Sequence, residues 1–509
     1  MIKKNIKIEI NNGIIGRITS IPDGIEIVTD GNSDNYKDCI AVPAFTDSHC
    51  HVWGLGMKEL GLDLSNCKSA DDCCESAIAK PFKRGEWIIG RGWNQELWGG
   101  KMPDCNIIDK YFKDIPVCLT RIDGHAIWCN TKAMEISKID SFSKVPGGEI
   151  LMKNGKPSGI FIDNAMNLIE RNIPDFSTEQ LKSFILKGLE KALESGITFF
   201  HDMDVNQKLH DIYIELDKAG VLSHNVYSFL SAQNNEYLSF KEMKYSGNNY
   251  KVQGIKLYAD GALGSRGAAL FGKYNDDDTY GLLLLSDEEM FEKCKAAAAL
   301  DFDIAVHAIG DRAVNQVLNV FQKIREAGYN KIKLRIEHSQ LIQPDDVPRF
   351  RELDVIASVQ PVHCTSDAAM ADKRLGTERA SLTGYKWKSL IDNGIEVIAG
   401  SDFPIESESV LAGINSFTKR IPAGSNKQWN SSEIIVFNYA LGSYSINPHI
   451  AVGNINRGKI ETGFIADMII CDKNTFSNEN EKFEFQAVIK DGKRIDHKIF
   501  RADISNFPL

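Results

Sequence analysis

The chain has 509 residues, 43% hydrophobic and 25% charged, which suits two to four globular domains and excludes disordered or fibrous classes. Lysine and arginine total 59 against 69 aspartates and glutamates, a net charge of −10 with no basic run, which argues against a nucleic-acid partner. The opening Met1-Ile-Lys-Lys-Asn-Ile-Lys lacks the apolar run of a signal peptide, and no stretch has the apolar length of a membrane span. The 11 cysteines are scattered with no C-x-x-C pair and read as reduced thiols, so the expectation is a cytoplasmic protein with no membrane partner.

In chain order, residues 1–38 read as short β-like runs with turns such as Asn11-Asn-Gly13. A strand is predicted at Cys39–Phe45. The long segment from Gly54 to Ile173 is Trp-rich (Trp53, Trp87, Trp93, Trp98, Trp128) and too long for an unstructured loop, so 54–173 is read as an inserted subdomain. Ser177-Thr-Glu-Gln180 is a capping box, followed at helical spacing by Leu181, Ile185, Leu189 and Ala192. Strands follow at Ile197–Phe200, Ser223–Leu230 and Val252–Tyr258. A second capping box, Ser286-Asp-Glu-Glu289, opens a helix towards Leu300. The strand Ile304–Val306 precedes an apolar stripe of Val314, Val317, Leu318, Phe321 and Ile324, closed by Gly328. The last strands are Lys333–Ile336, Val355–Val359 and Glu396–Ala399.

Eight strands alternating with helices predict an α/β fold, a (β/α)₈ TIM barrel over residues 41–449. A doubly wound open sheet is the competing reading. The insertion after strand 1 would then cover the catalytic face. From about residue 450, β-like runs return, with a turn at Asp491-Gly492. Neither chain end suffices alone, so 1–40 plus 450–509 predict one small composite β domain.

The strongest local signal is Asp47-Ser-His-Cys-His51. Residues two apart on an extended segment share a side, so His49 and His51 can hold one metal ion, and imidazole suits zinc, iron or nickel. An isolated pair of this kind is more often coincidence. Its place at the first strand strengthens it, because barrel enzymes keep their chemistry at strand C-termini. His307 and His338 end the fifth and sixth strands, and Asp402 ends the eighth. Lys256 interrupts the apolar fourth strand, although lysine is rarely buried unpaired. Each alone has an ordinary structural explanation, such as a core histidine, a turn carboxylate or an ion pair with Asp260. The five strand positions converge only if the strands close into a barrel.

His49-x-His51, Lys256, His307, His338 and Asp402, in that strand order, resemble the metal-ligand set of the amidohydrolase superfamily. Pro43-Ala-Phe-Thr-Asp-Ser-His49, Lys256-Leu-Tyr-Ala-Asp-Gly-Ala-Leu-Gly-Ser-Arg266, His307-Ala-Ile-Gly-Asp-Arg312, Ile336-Glu-His-Ser-Gln340, Ser358-Val-Gln-Pro361 and Gly400-Ser-Asp402 narrow it. They are similar to the amidohydrolase family 3 branch, which includes N-substituted formamide deformylases. Gly90-Arg-Gly-Trp-Asn94 and Arg121-Ile-Asp-Gly-His125 fit the same branch. The likeness runs from about Ile40 to Lys473. Two departures are Pro43-Ala44 in place of the usual Pro-Gly, and a short segment before the first barrel strand, which implies a reduced sheet domain.

The resemblance implies one or two divalent metals, most often zinc, with His49, His51 and Asp402 on one ion and His307 and His338 on the other. Lys256 would bridge them as a carbamate. Asp402 would act as general acid and base towards an amide, N-substituted formamide or cyclic amide. Trp93, His125, Asp260 and Arg266 are weaker candidates for contact with a small-molecule substrate. His201, His363 and Asp311 are candidates for supporting roles. A deaminase or ester hydrolase on the same barrel, and a catalytically silent binding scaffold, are the alternatives; fold alone does not fix chemistry. Exposed sheet edges and apolar barrel helices are compatible with a homodimer.

Overall fold

The computed structural model describes residues 1–140, 143, 145, 148–233, 239–476 and 483–495. Its centre is an eight-stranded parallel sheet in simple sequential order. The strands are β1 (Phe45–Cys50), β2 (Ile197–Val205), β3 (Asn225–Ser231), β4 (Tyr250–Tyr258), β5 (Asp303–Ala308), β6 (Leu334–His338), β7 (Val355–Val359) and β8 (Val397–Ala399). The edges meet just beyond β8, where Asp402 N–H donates to His49 O at 2.7 Å and His51 N–H to Phe403 O at 3.0 Å. This is the (β/α)₈ barrel, and the open-sheet alternative falls. Gly400 is required at the seam, since a Cβ there would lie 2.3 Å from His49 N.

The helices start where the side chains dictate. Ser177 and Gln180 exchange their capping hydrogen bonds, and Ser286 and Glu289 form the second box. The helix Asp311–Glu326 buries Val314, Val317, Leu318, Phe321 and Ile324. Gly328 follows at φ +92, a left-handed turn that favours glycine.

The first predicted strand needs correction. Cys39–Pro43 pairs antiparallel with Met468–Asp472 in a peripheral sheet, and the barrel strand is Phe45–Cys50. Pro43 has no N–H to extend a ladder. Ala44 N–H turns to Asp467 O, and Phe45 N–H opens the barrel pairing at Gly196 O. The metal motif is therefore within and at the end of β1, not beyond a preceding strand.

The chain ends form two four-stranded sheets, one wholly N-terminal and one joining Cys39–Pro43 to three C-terminal strands. Ile8, Ile10, Ile27, Ala41, Met468 and Ile489 pack in a shared core. Burial there offsets the ordering cost that neither end could meet alone.

Chain contacts divide the molecule into two compact units, Met1–Val52 with the chain from Leu189, and Trp53–Gly188. The second unit has its own six-stranded sheet, running from Gly148–Lys153 at one edge to Lys83–Arg84 at the other. Trp93, Trp128 and Leu119 centre one apolar core of this unit; Trp87, Ile127 and Phe161 belong to another. No helix among the described residues is long and apolar enough to cross a membrane. All eleven cysteines are buried and free.

Candidate metal centre

Strand geometry gathers the predicted ligands. His49 is wholly buried in β1, and its ring lies 5.8 Å from that of His51 and 4.8 Å from that of His338. The His338 and His307 rings are 4.4 Å apart. Asp402 Oδ1 stands 3.5 Å from His49 Nε2 and 3.3 Å from His51 Nε2. His49, His338 and Asp402 can offer ligating atoms within 4.8 Å of one another. His338 thus joins the His49–Asp402 cluster, in addition to neighbouring His307.

Each imidazole is oriented through its other nitrogen. His49 Nδ1 donates to Glu337 Oε2 at 2.6 Å, His338 Nδ1 to Gln360 Oε1 at 2.7 Å and His51 Nδ1 to Met203 O at 3.1 Å. That fixes the tautomer of His49 and His338 and leaves their Nε2 as the ligating atom, the usual arrangement of metal-bound histidine. His51 Nε2 faces Asp402 Oδ1, and against the downward push of burial that pairing raises His51. Burial, with the charge of Lys256, pushes His49 down to about 4 and His307 down to about 3, while Glu337 pulls His49 partly back. Neutral imidazole is the form that binds a cation. His338 and Asp402 adopt left-handed backbone at φ +70 and +59. Such conformations are costly for residues with a Cβ and concentrate at functional sites.

The buried polar atoms without a hydrogen-bond partner among the described residues include Lys256 Nζ and His307 Nε2. Lys256 Nζ lies over the Tyr258 ring face, 5.0 Å from its centroid. Burial pushes Lys256 down to about 8, against the opposing pull of Glu337 and Asp402. Orphaned polar atoms are expensive unless something completes them. Four imidazoles, one carboxylate and these orphans fit a divalent cation.

The support beneath the ligands was not assigned from sequence. Arg335 and Glu337 alternate on β6, both buried, and are joined from Nε to Oε1 at 2.5 Å. Arg335 also donates to Ser48 O, Ser358 Oγ and His201 Nδ1. Burial alone would raise Glu337; Arg335's charge and the His49 hydrogen bond hold it well below the carboxylate range. Asp47 accepts from Ser401 Oγ at 2.6 Å and His49 N–H at 3.1 Å, tying β1 to the loop after β8. Burial nonetheless pushes it up to about 7. The available signal was two charged residues at period two within an apolar strand, Leu334-Arg-Ile-Glu337, which puts both inside the barrel.

The weaker candidates have local partners. Asp260 is buried, and its oxygens accept from Ala269, Ile309 and Gly310 N–H at 2.8–3.0 Å, with His307 Nε2 3.5 Å away. Arg266 pairs with Asp276 and Asp277. Asp311 Oδ1 accepts from Phe271 and Arg312 N–H. His363 lies beside His338, ring centroids 6.1 Å apart, with Nδ1 at 3.3 Å from Gln340 Nε2. In the Trp53–Gly188 unit, Trp93 is fully buried and its indole donates to Leu119 O. His125 is exposed and pairs with Asp163 at 2.9 Å.

The sequence pattern of the amidohydrolase family matches residues 35–496. The chain belongs to the amidohydrolase family. Protein LONG AFTER FAR-RED 3 of Arabidopsis thaliana is 31% identical, covering 92% of this chain and 84% of that one. The putative amidohydrolase YtcJ of Bacillus subtilis (strain 168) is 31% identical over 86% and 85%. N-substituted formamide deformylase of Arthrobacter pascens is 22% identical over 85% and 83%. An uncharacterized metal-dependent hydrolase from Pyrococcus horikoshii OT3 superposes with TM-score 0.76 at 26% identity, covering 96% and 95%. This amidohydrolase is accordingly a metal-dependent hydrolase on a (β/α)₈ barrel.

Proposed function

We propose that the chain hydrolyses non-peptide carbon–nitrogen bonds of small amides, N-substituted formamides or cyclic amides. The carrying observation is Asp402, a carboxylate within 3.5 Å of both His49 Nε2 and His51 Nε2. Likeness to an N-substituted formamide deformylase supports the bond type. His49, His51, His307, His338 and Asp402 hold the divalent metal, one ion or two; zinc suits the imidazole-rich set. When bound, it supplies Lewis acidity to the carbonyl and acidifies water.

Asp402 handles the protons. Burial tends to raise it, but the hydrogen bond from His51 and the neighbouring imidazoles hold it well below the usual carboxylate range, so it is ionised at neutral pH. It accepts a proton from the attacking water and returns it to the departing nitrogen. Lys256 has two compatible states. Its neutral amine can add carbon dioxide, releasing one proton and leaving a carbamate whose oxygens ligate cations. As an ammonium it cannot ligate.

The test combines metal content by inductively coupled plasma mass spectrometry with turnover of a small amide and ester panel. Near two zinc per chain with amide turnover is the expected result and makes the carbamate the resting form of Lys256. No metal after reconstitution, or turnover of esters alone, overturns the reading.

A further inference from the structure

β2 carries an irregularity that the chemistry so far does not use. Asp202 pairs with Ser228 and Val205 with Leu230, so Met203 and Asp204 together oppose the single residue Phe229. This is a β-bulge, which bends a strand and re-aims its side chains. Asp204 takes the left-handed position at φ +60, where glycine would be unstrained. The bulge turns Met203 O towards His51 Nδ1, so it already serves the metal centre. A glycine at 204 would achieve that alone; retaining a carboxylate there calls for a separate reason.

The carboxylate lies beside β4. Its charge acts on Lys256, and its contact with the Tyr258 hydroxyl adds to the upward push that burial gives the phenol. Yet Asp204 Oδ1 is buried with no hydrogen-bond partner, and Lys256 Nζ is equally unpartnered. Neither atom satisfies the other. Elsewhere in the barrel interior the chain pairs its charges, as Arg335 and Glu337 show. A buried carboxylate oxygen with no donor calls for one brought to it.

We propose that Asp204 is a substrate-recognition residue whose Oδ1 accepts the N–H of the amide to be cleaved. The proposal rests on the carbon–nitrogen reading above and deepens it. The scissile group of a primary or secondary amide or formamide brings an N–H; an ester or N,N-disubstituted amide brings none. A carboxylate acceptor makes the stronger kind of hydrogen bond, and leaving it unmatched penalises the wrong ligand. Tyr258 and the bulge hold the acceptor in place.

The test uses two probes of one skeleton, N-butylacetamide and N-butyl-N-methylacetamide. Their binding to the metal-loaded protein is compared by saturation-transfer NMR, with initial rates measured separately. The wild type is expected to prefer the N–H probe by about tenfold, one charge-assisted hydrogen bond. Asp204→Gly should abolish the preference while metal content is unchanged; relief of the backbone and loss of the Tyr258 partner act oppositely on Tm. Asp204→Asn, which tolerates the same backbone and keeps one acceptor oxygen, should retain part of it. An unchanged preference in Asp204→Gly overturns the proposal, and so does loss of metal, which would make Asp204 a ligand. Binding that follows Asp204 with no amide turnover sustains the recognition role and overturns only the reaction assigned above.

Discussion

Two regions were expected to carry function, and they use the same residue types differently. At the ends of the barrel strands, histidines and acids are buried, oriented by second partners, and leave Lys256 Nζ and His307 Nε2 unsatisfied. In the Trp53–Gly188 unit, Trp93 stacks on Trp98 at 6.4 Å, meets Trp128 edge-on at 6.2 Å and satisfies its indole on Leu119 O. A satisfied aromatic stabilises a core, whereas an unsatisfied buried cation calls for a ligand. Residue type brings both regions to notice. Trp128 Nε1 is also buried without a partner, so an unsatisfied atom alone does not mark a site; what separates the two regions is that the barrel orphans are titratable groups gathered beside other histidines and acids.

The sharpest way to break this contrast is to substitute one residue on each side. Asp402→Asn should lower turnover by about 10³-fold, the scale of a general base, while the thermal midpoint stays close to wild type. Steady-state rates beside calorimetry check it; retained turnover would remove Asp402 from the mechanism. Trp93→Ala should do the reverse. Emptying a fully buried indole costs about 3–5 kcal/mol, read as a lower denaturant midpoint, with metal content per chain unchanged. If Trp93→Ala stripped metal instead, the satisfied core assigned to it would be wrong.

Glu337→Gln probes the support beneath the ligands. The glutamine can still accept from His49 but no longer carries charge, so metal affinity should fall about 10–100-fold in chelator competition. Arg335 is left with an unpaired buried charge, so the thermal midpoint should fall as well. A variant that loses stability but keeps its metal affinity would make Glu337 a purely structural partner of Arg335.

The barrel and its ligands were legible because strand periodicity and side-chain chemistry coincide there: His307, His338 and Asp402 each sit at a strand end. The first strand was misplaced because the apolar run Cys39–Phe45 covers the peripheral strand and only the first residue of the barrel strand, whose remainder Thr46-Asp-Ser-His-Cys50 carries no apolar pattern. The supports were hidden by distance along the chain. Glu337 meets His49 across 288 positions, and Asp47 meets Ser401 across 354. The Asp204 bulge was invisible for another reason. An inserted strand residue shifts register against a neighbour, and periodicity within one strand does not report its neighbour.

The smallest effect concerns a buried acid away from the ligand cluster. Glu396 precedes β8, and its Oε1 is buried without a partner. Burial pushes it up to about 7 from an ordinary 4.5, with only a partial counter-pull from Lys333. Between those values the unfolded chain has released this proton while the folded chain keeps it. The native state then binds more protons, so this contribution to stability falls as pH rises from about 4.5 to about 7 and is gone above. Glu396→Gln removes the ionisation and keeps the shape. The variant should match the wild type at low pH and exceed it at alkaline pH by about 1–2 kcal/mol, measured as urea midpoints across that range. The Asp402 and Trp93 substitutions should show no such pH-dependent gain, because neither removes an acid that burial keeps protonated. A Glu396→Gln advantage that is flat with pH would mean that the gain comes from packing and that Glu396 ionises freely in the folded chain.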